Sequence, residues 1–390
     1  MISVDAALEL LFELVAPLPS EQVPLEEAAG RVMTQDARAT RDQPPFPASA
    51  MDGYAVRTAE AKPGTQLTII GESAAGHGFR GAVEPEQAVR IFTGAPVPEG
   101  ADRIVIQEDV DRHNDTITLK DNLDPGPYIR SKATDFAIGD CIKAPRQLRP
   151  SDIALLASMN IGSATVSRKP RVALISTGDE LVLPGEEPGP DQIIASNTYG
   201  LKAMLNEAGA EARILPIARD TKPSLLSAFK LARDADLVVT IGGASVGDHD
   251  LVADVTAELG MRQSFYKIRM RPGKPLMAGK LGDIPMVGLP GNPVSAMVCG
   301  HVFLLPMIRI MQGFPPAPTS RFQARLAIDL PKGGPREHYM RAIVENGQIT
   351  PADRQDSSLL SILAASNALM VRPADDEPRK KGDIMEYLEL

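Results

Sequence analysis

At 390 residues the chain is too long for one ordinary core, and domains of ~100–200 residues predict two to four of them. Its 43% hydrophobic and 23% charged residues are a globular composition, but aromatics make up only 4% and Trp is absent, which predicts an aliphatic core and argues against a base-stacking nucleic-acid surface. A net charge of −9 excludes a general nucleic-acid or membrane-surface binder, so an anionic ligand would need a local basic patch.

The opening "MISVDAALELLFELV" lacks a basic region and a cleavage site and reads as a mature amphipathic helix over residues 3–15. Ser3 caps it, and Ala7, Leu10, Leu11 and Leu14 share a face. "PPFPASAMDGYAV" follows at Pro44 to Val56. Its prolines fix the backbone on one side of Asp52, and Gly53 allows a left-handed turn on the other. Asp-Gly also reads as an ordinary tight turn, so Asp52 is either a turn residue or a carboxylate held for chemistry. Across residues 41–140, short runs such as "TQLTII", "AVRIFTG", "DRIVIQED" and "TITLK" alternate with Gly/Pro turns, which predicts a β-rich domain. A short helix beginning at Pro150–Ser151 is expected to pack on the N-terminal helical region. That makes residues 1–40 and 141–168 a discontinuous helical linker domain with the β-rich one inserted.

From Arg171 the pattern becomes α/β. Strand-like "RVALIST", "ARILPI", "DLVVTIG" and "PMVGL" alternate with helical "SNTYGLKAMLNEAG" and "KPSLLSAFKLARDA", predicting a doubly wound parallel sheet over 169–316. "GFPPAPTS" is a linker, and 317–390 return to short strands with a helix near "SSLLSILAAS". No run is judged able to span a bilayer; the best candidate, "VSAMVCGHVFLLPMIRI", carries His, Pro and Arg. Cys141 and Cys299 are far apart and the five histidines are scattered, so no disulfide framework or metal-ligand spacing is present, which suits a reducing, cytoplasmic setting.

Ligands of open α/β sheets bind beyond the carboxyl ends of the strands. Four such ends carry polar or glycine-rich loops: "TGDEL" with Asp179 and Glu180, "RD" with Asp220, "GGASVGDHD" with Ser245, Asp248 and Asp250, and "PGNPVSAM" with Asn292 and Ser295. The glycine loop is neither a Walker loop nor a dinucleotide fingerprint. It is an anion nest or an ordinary βα loop. Ser295 near a helix start is an anion contact or a plain cap. "KIRMRPGKP" sets Lys267, Arg269, Arg271 and Lys274 in a run stiffened by Pro272, Gly273 and Pro275. It reads as an anion site or as a solvated face. Carboxylates beside an anion site suggest Mg²⁺, so these residues point to a polyanion, a nucleotide or phosphorylated cofactor.

In order along the chain, "PASAMDGYAV", "IFTGAPVPEGAD", "STGDEL", "SNTYGL", "GGASVGDHD", "RPGKP", "GLPGNPVSAM" and "QDSSLLSILAASNALM" resemble the MoeA family of molybdopterin molybdenumtransferases, which is similar to the gephyrin E domain. The resemblance implies an α/β multidomain fold: a doubly wound molybdopterin-binding domain, a β-rich inserted domain, a helical linker domain and a C-terminal β-barrel-like domain. It implies a homodimer with the active cleft across the interface. It also implies a Mg²⁺-dependent reaction of adenylylated molybdopterin with molybdate that releases AMP and yields molybdenum cofactor. Arg271, Lys274 and Ser295 then fall to molybdate, with Arg336 and Arg341 of "GPREHYMRA" as further oxyanion contacts. Glu180, Asp220 and Asp250 fall to the metal and to catalysis, joined in the catalytic set by Lys267, Asp135 and, from the inserted domain, Asp52 and Thr93 facing the partner's cleft. Ser176, Gly178, Asn197, Gly242, Gly243, Ser245, Gly247, Asp248, Pro290 and Pro293 would line the substrate site. Transient contacts with the adenylyltransferase and with molybdoenzyme carriers belong to the same picture. Arg271 stands where the family often has Lys, exchanging a point charge for a two-pronged donor. The competing expectations are an adenylyltransferase, which would consume ATP, and a non-catalytic molybdopterin-binding scaffold.

Overall fold

The computed structural model describes residues 1–243 and 251–390. The chain divides into two compact units, one of Met1–Glu21, Gly30–Thr34 and Thr165–Leu390, the other of Gln22–Ala29 and Gln35–Ala164.

The first unit is built on a six-stranded sheet in the order Glu211–Ile214, Arg171–Ser176, Leu237–Ile241, Ile284–Leu289, Met277–Leu281, Arg262–Tyr266. Its first four strands run parallel. The last two form an antiparallel extension that the sequence pattern did not reveal, because their apolar residues are interrupted by Gly279 and flanked by the basic run. Both faces are covered. Val172 and Leu174 point into one core, and Ala173 and Ile175 into another on the opposite face. Such two-sided burial explains why the strands read as unbroken apolar runs. Helices Lys222–Leu231 and Leu251–Glu258 cover the second face, and Asn197–Glu207 with Pro293–Cys299 and Leu305–Met311 cover the first. The stretch Pro293–Met311 is long and apolar enough to cross a membrane, but Val294, Val298, Phe303, Met307 and Ile308 are wholly buried against the sheet.

Helix Val4–Phe12 is capped by Ser3, whose Oγ accepts the Ala6 amide at 3.1 Å. Helix Pro150–Ser158, expected to share a discontinuous domain with it, falls in the other unit. Val4, Ala7, Leu8 and Leu11 join the core of the α/β sheet. The apolar stripe was legible, but a stripe does not specify which apolar surface will cover it.

The C-terminal strands close on themselves. Glu337–Glu345, Gln348–Pro351, Phe322–Leu326, Ile384–Glu389 and Ala368–Arg372 follow one another, and the last pairs back onto the first, giving a five-stranded barrel. A sixth strand, Met270–Arg271, comes from the basic run and pairs in parallel with Glu337–Glu345. Tyr339, Leu369, Val371 and Leu388 of the barrel share the core of the α/β layer.

The second unit carries a six-stranded sheet in the order Arg103–Ile106, Gly53–Val56, Gln87–Ile91, Gln66–Ser73, Thr116–Leu119, Val110–His113, with a core of Tyr54, Val56, Leu67, Val105 and Ile117. Gly53 does not make the left-handed turn read from Asp-Gly; it begins a strand, and a Cβ there would collide with the carbonyl oxygen of Val105. Close backbone approach is the reason for this glycine.

Leu174, on a central strand and wholly buried, tests the α/β core. Leu174→Ala is expected to destabilise the first unit by about 2–5 kcal/mol, the usual cost of such a cavity. Thermal unfolding followed by circular dichroism reads this as an earlier transition for that unit.

Candidate functional site

The carboxyl ends of the parallel strands open onto a cleft of about 860 Å³, a size suited to a nucleotide-sized ligand. Ser176, Gly178, Glu180, Asn197, Asp220, Gly242, Gly243, Pro290 and Pro293 all line it, so the structure gathers these predicted residues into one place. Gly242 and Gly243 have φ of 95° and 63°, and a side chain on either would press on Thr177. The strand ends are cross-tied. The Asp179 carboxylate accepts the Asp220 amide at 3.1 Å, and the Arg219 guanidinium donates to the carbonyls of Asp179 and Leu181 at 3.0 Å each. These ties hold the Glu180 and Asp220 segments side by side. Asn197 Nδ2 donates to the Gly291 carbonyl at 2.7 Å and binds a helix start to the loop after Leu289. Ser245, Gly247, Asp248 and Asp250 lie outside the described residues.

Glu180, Asp220 and Asp254 line the cleft. Among the described residues no cluster of three His, Cys, Asp or Glu side chains is drawn close enough to hold a metal by itself. Glu180 and Asp220 are hard oxygen donors, and Mg²⁺ commonly binds one or two carboxylates while keeping its waters and substrate phosphates as the other ligands. The donor set fits that ion.

Thr177 and Asp254 were missed as lining residues. Thr177 is buried, and its Oγ1 has no hydrogen-bond partner among the described residues. It stands inside the "STGDEL" motif, but nothing in its spacing separates it from its neighbours. Asp254 comes from the helix after the glycine loop, where it reads as an ordinary first-turn acid.

The basic run is neither loose surface nor part of the parallel sheet. Gly273, at φ 109°, fits where a Cβ would press on Cys299 Sγ, which holds the turn between Arg271 and Lys274 tight. Arg271 and Lys274 are exposed. The strand pairing sets Arg271 beside His338, and His338 beside Arg372. Arg336 Nη1 reaches the Met270 carbonyl at 3.5 Å. Arg341 is different: its buried guanidinium donates to Gln355 Oε1 at 3.0 Å and to the carbonyls of Asp356 at 2.6 Å and Arg354 at 3.3 Å. It therefore holds the 354–356 loop, whose neighbour Ser357 accepts the Val294 amide at 3.1 Å beside Ser295. Burial lowers the Arg341 pKa, and Arg271 lowers it further. Ser295 is buried, and Lys267 sits in the left-handed region at φ 77°, its Nζ 5.2 Å from the Tyr266 ring.

In the second unit Asp52 and Thr93 are brought together. The Thr93 amide and Oγ1 both donate to Asp52 Oδ1, each at 2.7 Å. The amide bond, then the hydroxyl, hold the Asp52 carboxyl below its ordinary value, with Arg90 adding to the effect. The bond fixes the carboxylate in its ionised form. Asp135 lines a separate pocket of about 630 Å³ with Arg41, Pro44, Gly94 and Arg130.

The fold and cleft define an α/β protein of molybdopterin-binding type, and a family model described as a probable molybdopterin binding domain matches residues 173–310. Models of the MoeA N-terminal region, domains I and II, and of the MoeA C-terminal region, domain IV, match residues 2–160 and 323–390. The molybdopterin molybdenumtransferase of Haemophilus influenzae is 36% identical over 385 residues, 95% of this chain and 94% of that protein. Its counterpart in Nostoc sp. is 36% identical over 355 residues, covering 87% and 81%. A crystal structure of the molybdopterin biosynthesis moeA protein from Pyrococcus horikoshii superposes with a TM-score of 0.85 at 27% identity, covering 100% of both chains. The chain belongs to the MoeA family.

Thr93→Val keeps the amide bond to Asp52 and deletes the hydroxyl one. Its Asp52 pKa is expected to rise part of the way to the ordinary carboxylate value, measured by carbon-detected NMR titration. Because the folded-state pKa is lowered, Asp52 stabilises the fold above its unfolded pKa and loses that contribution as pH falls through the folded value. In the variant that contribution is therefore smaller, and its loss, which begins at the same unfolded-state pKa, is complete at a higher pH.

Proposed function

We propose that the chain is a molybdopterin molybdenumtransferase that accepts adenylylated molybdopterin and molybdate, releases AMP and leaves molybdenum on the dithiolene. The observation that carries this reading is the pairing, in one unit, of an acid-lined cleft of nucleotide size with an exposed cationic turn stitched to the barrel. On a protein of net charge −9, such a turn is a local device for an anion.

In this reading the cleft binds the adenylylated pterin. Gly242 and Gly243 admit close backbone approach, and Asn197 and Ser176 supply polar contacts. Arg271 and Lys274 attract the molybdate dianion and orient it by charge, with Ser295 and Arg336 as further contacts. Arg341 acts by fixing the 354–356 loop. Glu180 and Asp220 would hold Mg²⁺, and Asp250 is assigned with them from the sequence motif alone. When bound, the ion supplies neutralisation of phosphate charge. Breaking the phosphoric anhydride requires one oxygen nucleophile, from molybdate or from water, which bonds to one phosphorus as the P–O bond breaks; one phosphate leaves with the adenosine as AMP and the other stays on the pterin. Asp52, kept ionised by Thr93, is suited to orient that oxygen. In the dimer we assign to the chain, it serves the cleft of the second copy, with Lys267 and Asp135 as further members of the catalytic set. Free Cys141 and Cys299 fit a cytoplasmic setting.

The test is anaerobic. Purified protein is mixed with adenylylated molybdopterin and Mg²⁺, and AMP is followed with and without molybdate. Molybdate-dependent release is expected, reduced about 10²–10³-fold in Asp52→Ala and Lys274→Ala variants of unchanged fold, the usual cost of removing one group that meets developing charge. ATP-dependent adenylylation of free molybdopterin, with no molybdate-dependent release of AMP, would overturn the assignment and move the protein one step earlier.

A further inference from the structure

One titratable group in the barrel has no role in the reaction described above. His338 lies on strand Glu337–Glu345, between Arg271 on one neighbouring strand and Arg372 on the other. Residues in register across adjacent strands project from the same face of a sheet, so Arg271, His338 and Arg372 form a row. Arg336, in the bend just before this strand, reaches across to the Met270 carbonyl at 3.5 Å.

The charged groups that act most strongly on this imidazole come from each strand packed against it, and all are arginines. They are Arg271 on Met270–Arg271, Arg372 on Ala368–Arg372, and Arg336 and Arg341 on its own segment. They differ in how they are engaged. Arg372 donates Nε to Asp376 at 2.9 Å and Nη2 to the Pro331 carbonyl at 2.9 Å, and Arg341 is held by the 354–356 loop. Arg271 has no hydrogen bond or ion pair from its guanidinium among the described residues, and it is exposed. The row therefore has a buried, satisfied end and an open, unneutralised end, with a half-buried histidine between them.

We propose that His338 is a further binding residue of the oxyanion pocket, donating from its imidazole to an oxyanion held at Arg271 and taking up a proton as that anion arrives. Burial first, and then the arginines with Arg271 foremost, press the His338 pKa down to about 3 and keep the ring neutral while the pocket is empty. A dianion at Arg271 opposes that positive field. It offsets the cation nearest the ring and places two negative charges where an imidazolium N–H can meet them. Binding the anion and binding the proton then favour one another, and by linkage each strengthens the other equally. Neither ring protonation nor anion binding makes or breaks a covalent bond in the anion. The inference rests on Arg271 and Lys274 being the oxyanion site.

Calorimetric titration of the whole protein with molybdate, in two buffers of different ionisation enthalpy, counts the protons taken up per anion bound. The wild type is expected to take up a fraction of a proton at pH 7.5 that rises toward one at pH 6, with affinity increasing by up to about tenfold per pH unit. His338→Gln keeps a hydrogen-bond donor without the titration, so its uptake falls to the small amount due to molybdate itself and its affinity loses most of the pH dependence. A parallel NMR titration of the five histidines in the wild type, assigned through His338→Gln, shows the His338 ring moving toward its imidazolium shift only when molybdate is present. Equal proton uptake in wild type and His338→Gln, or a His338 resonance unmoved by saturating molybdate, would overturn the proposal while leaving the pocket in place. Unchanged molybdate affinity in Arg271→Ala and Lys274→Ala would instead refute the pocket itself, and the His338 role with it.

Discussion

Strand Met270–Arg271 is the join on which the first unit depends. The chain leaves the antiparallel edge of the α/β sheet at Tyr266, runs beside barrel strand Glu337–Glu345, turns back at Gly273 and re-enters the sheet at Met277. Backbone bonds fasten this excursion on both sides: the Arg269 amide donates to the Ile2 carbonyl at 2.8 Å, and the Glu337 amide to the Arg269 carbonyl at 3.0 Å. Met270, fully buried, joins the same core as Tyr339 and Leu369 of the barrel. A cationic turn that would otherwise swing in solvent is thereby fixed against an arginine-rich face. Its charges act together because the backbone leaves them no other place.

The arrangement also separates two uses of arginine. Arg341 and Arg372 are buried, and each guanidinium is matched to carbonyls or to a carboxylate; they shape loops and the barrel. Arg271 and Lys274 are exposed and unpaired among the described residues, so their charge is available to a ligand. An unpaired cation costs little in water but much when buried. The sorting of these four side chains by exposure is therefore the chemical boundary between scaffold and pocket. On the cleft side the logic is similar: Asp179 and Arg219 are occupied with backbone groups, and Glu180 and Asp220 are presented beside them.

Much of this was legible in the residues. The four parallel strands stood out because burial on both faces makes a strand uniformly apolar, and the loops after them held the cleft residues because open α/β sheets bind there. Ser3 marked its helix correctly. What could not be read was set by tertiary partners. Strand Arg262–Tyr266 carries the mixed polar residues of a sheet edge, and the short run of Met277–Leu281 is interrupted by Gly279, so their pattern was weak. "RMRPGKP" showed charge and stiffness but not that two of its residues belong to a barrel formed from the chain's last quarter. Arg341 was assigned to the oxyanion through the resemblance, and nothing local announces that Gln355 and Asp356 will enclose it. Gly53 was given to a turn because Asp-Gly is a turn signal, whereas the carbonyl of Val105, distant in sequence, sets the requirement.

The claim at the centre of this account is that the join between sheet and barrel is where the oxyanion sits. Molybdenum scatters anomalously, so crystals of the protein soaked in molybdate and measured across the molybdenum absorption edge would locate the anion directly. The account predicts an anomalous peak between Arg271, Lys274 and Arg336, within contact of His338, and its disappearance in Lys274→Ala crystals. A peak confined to the pocket of Arg41 and Arg130 in the other unit, with none at the join, would contradict it.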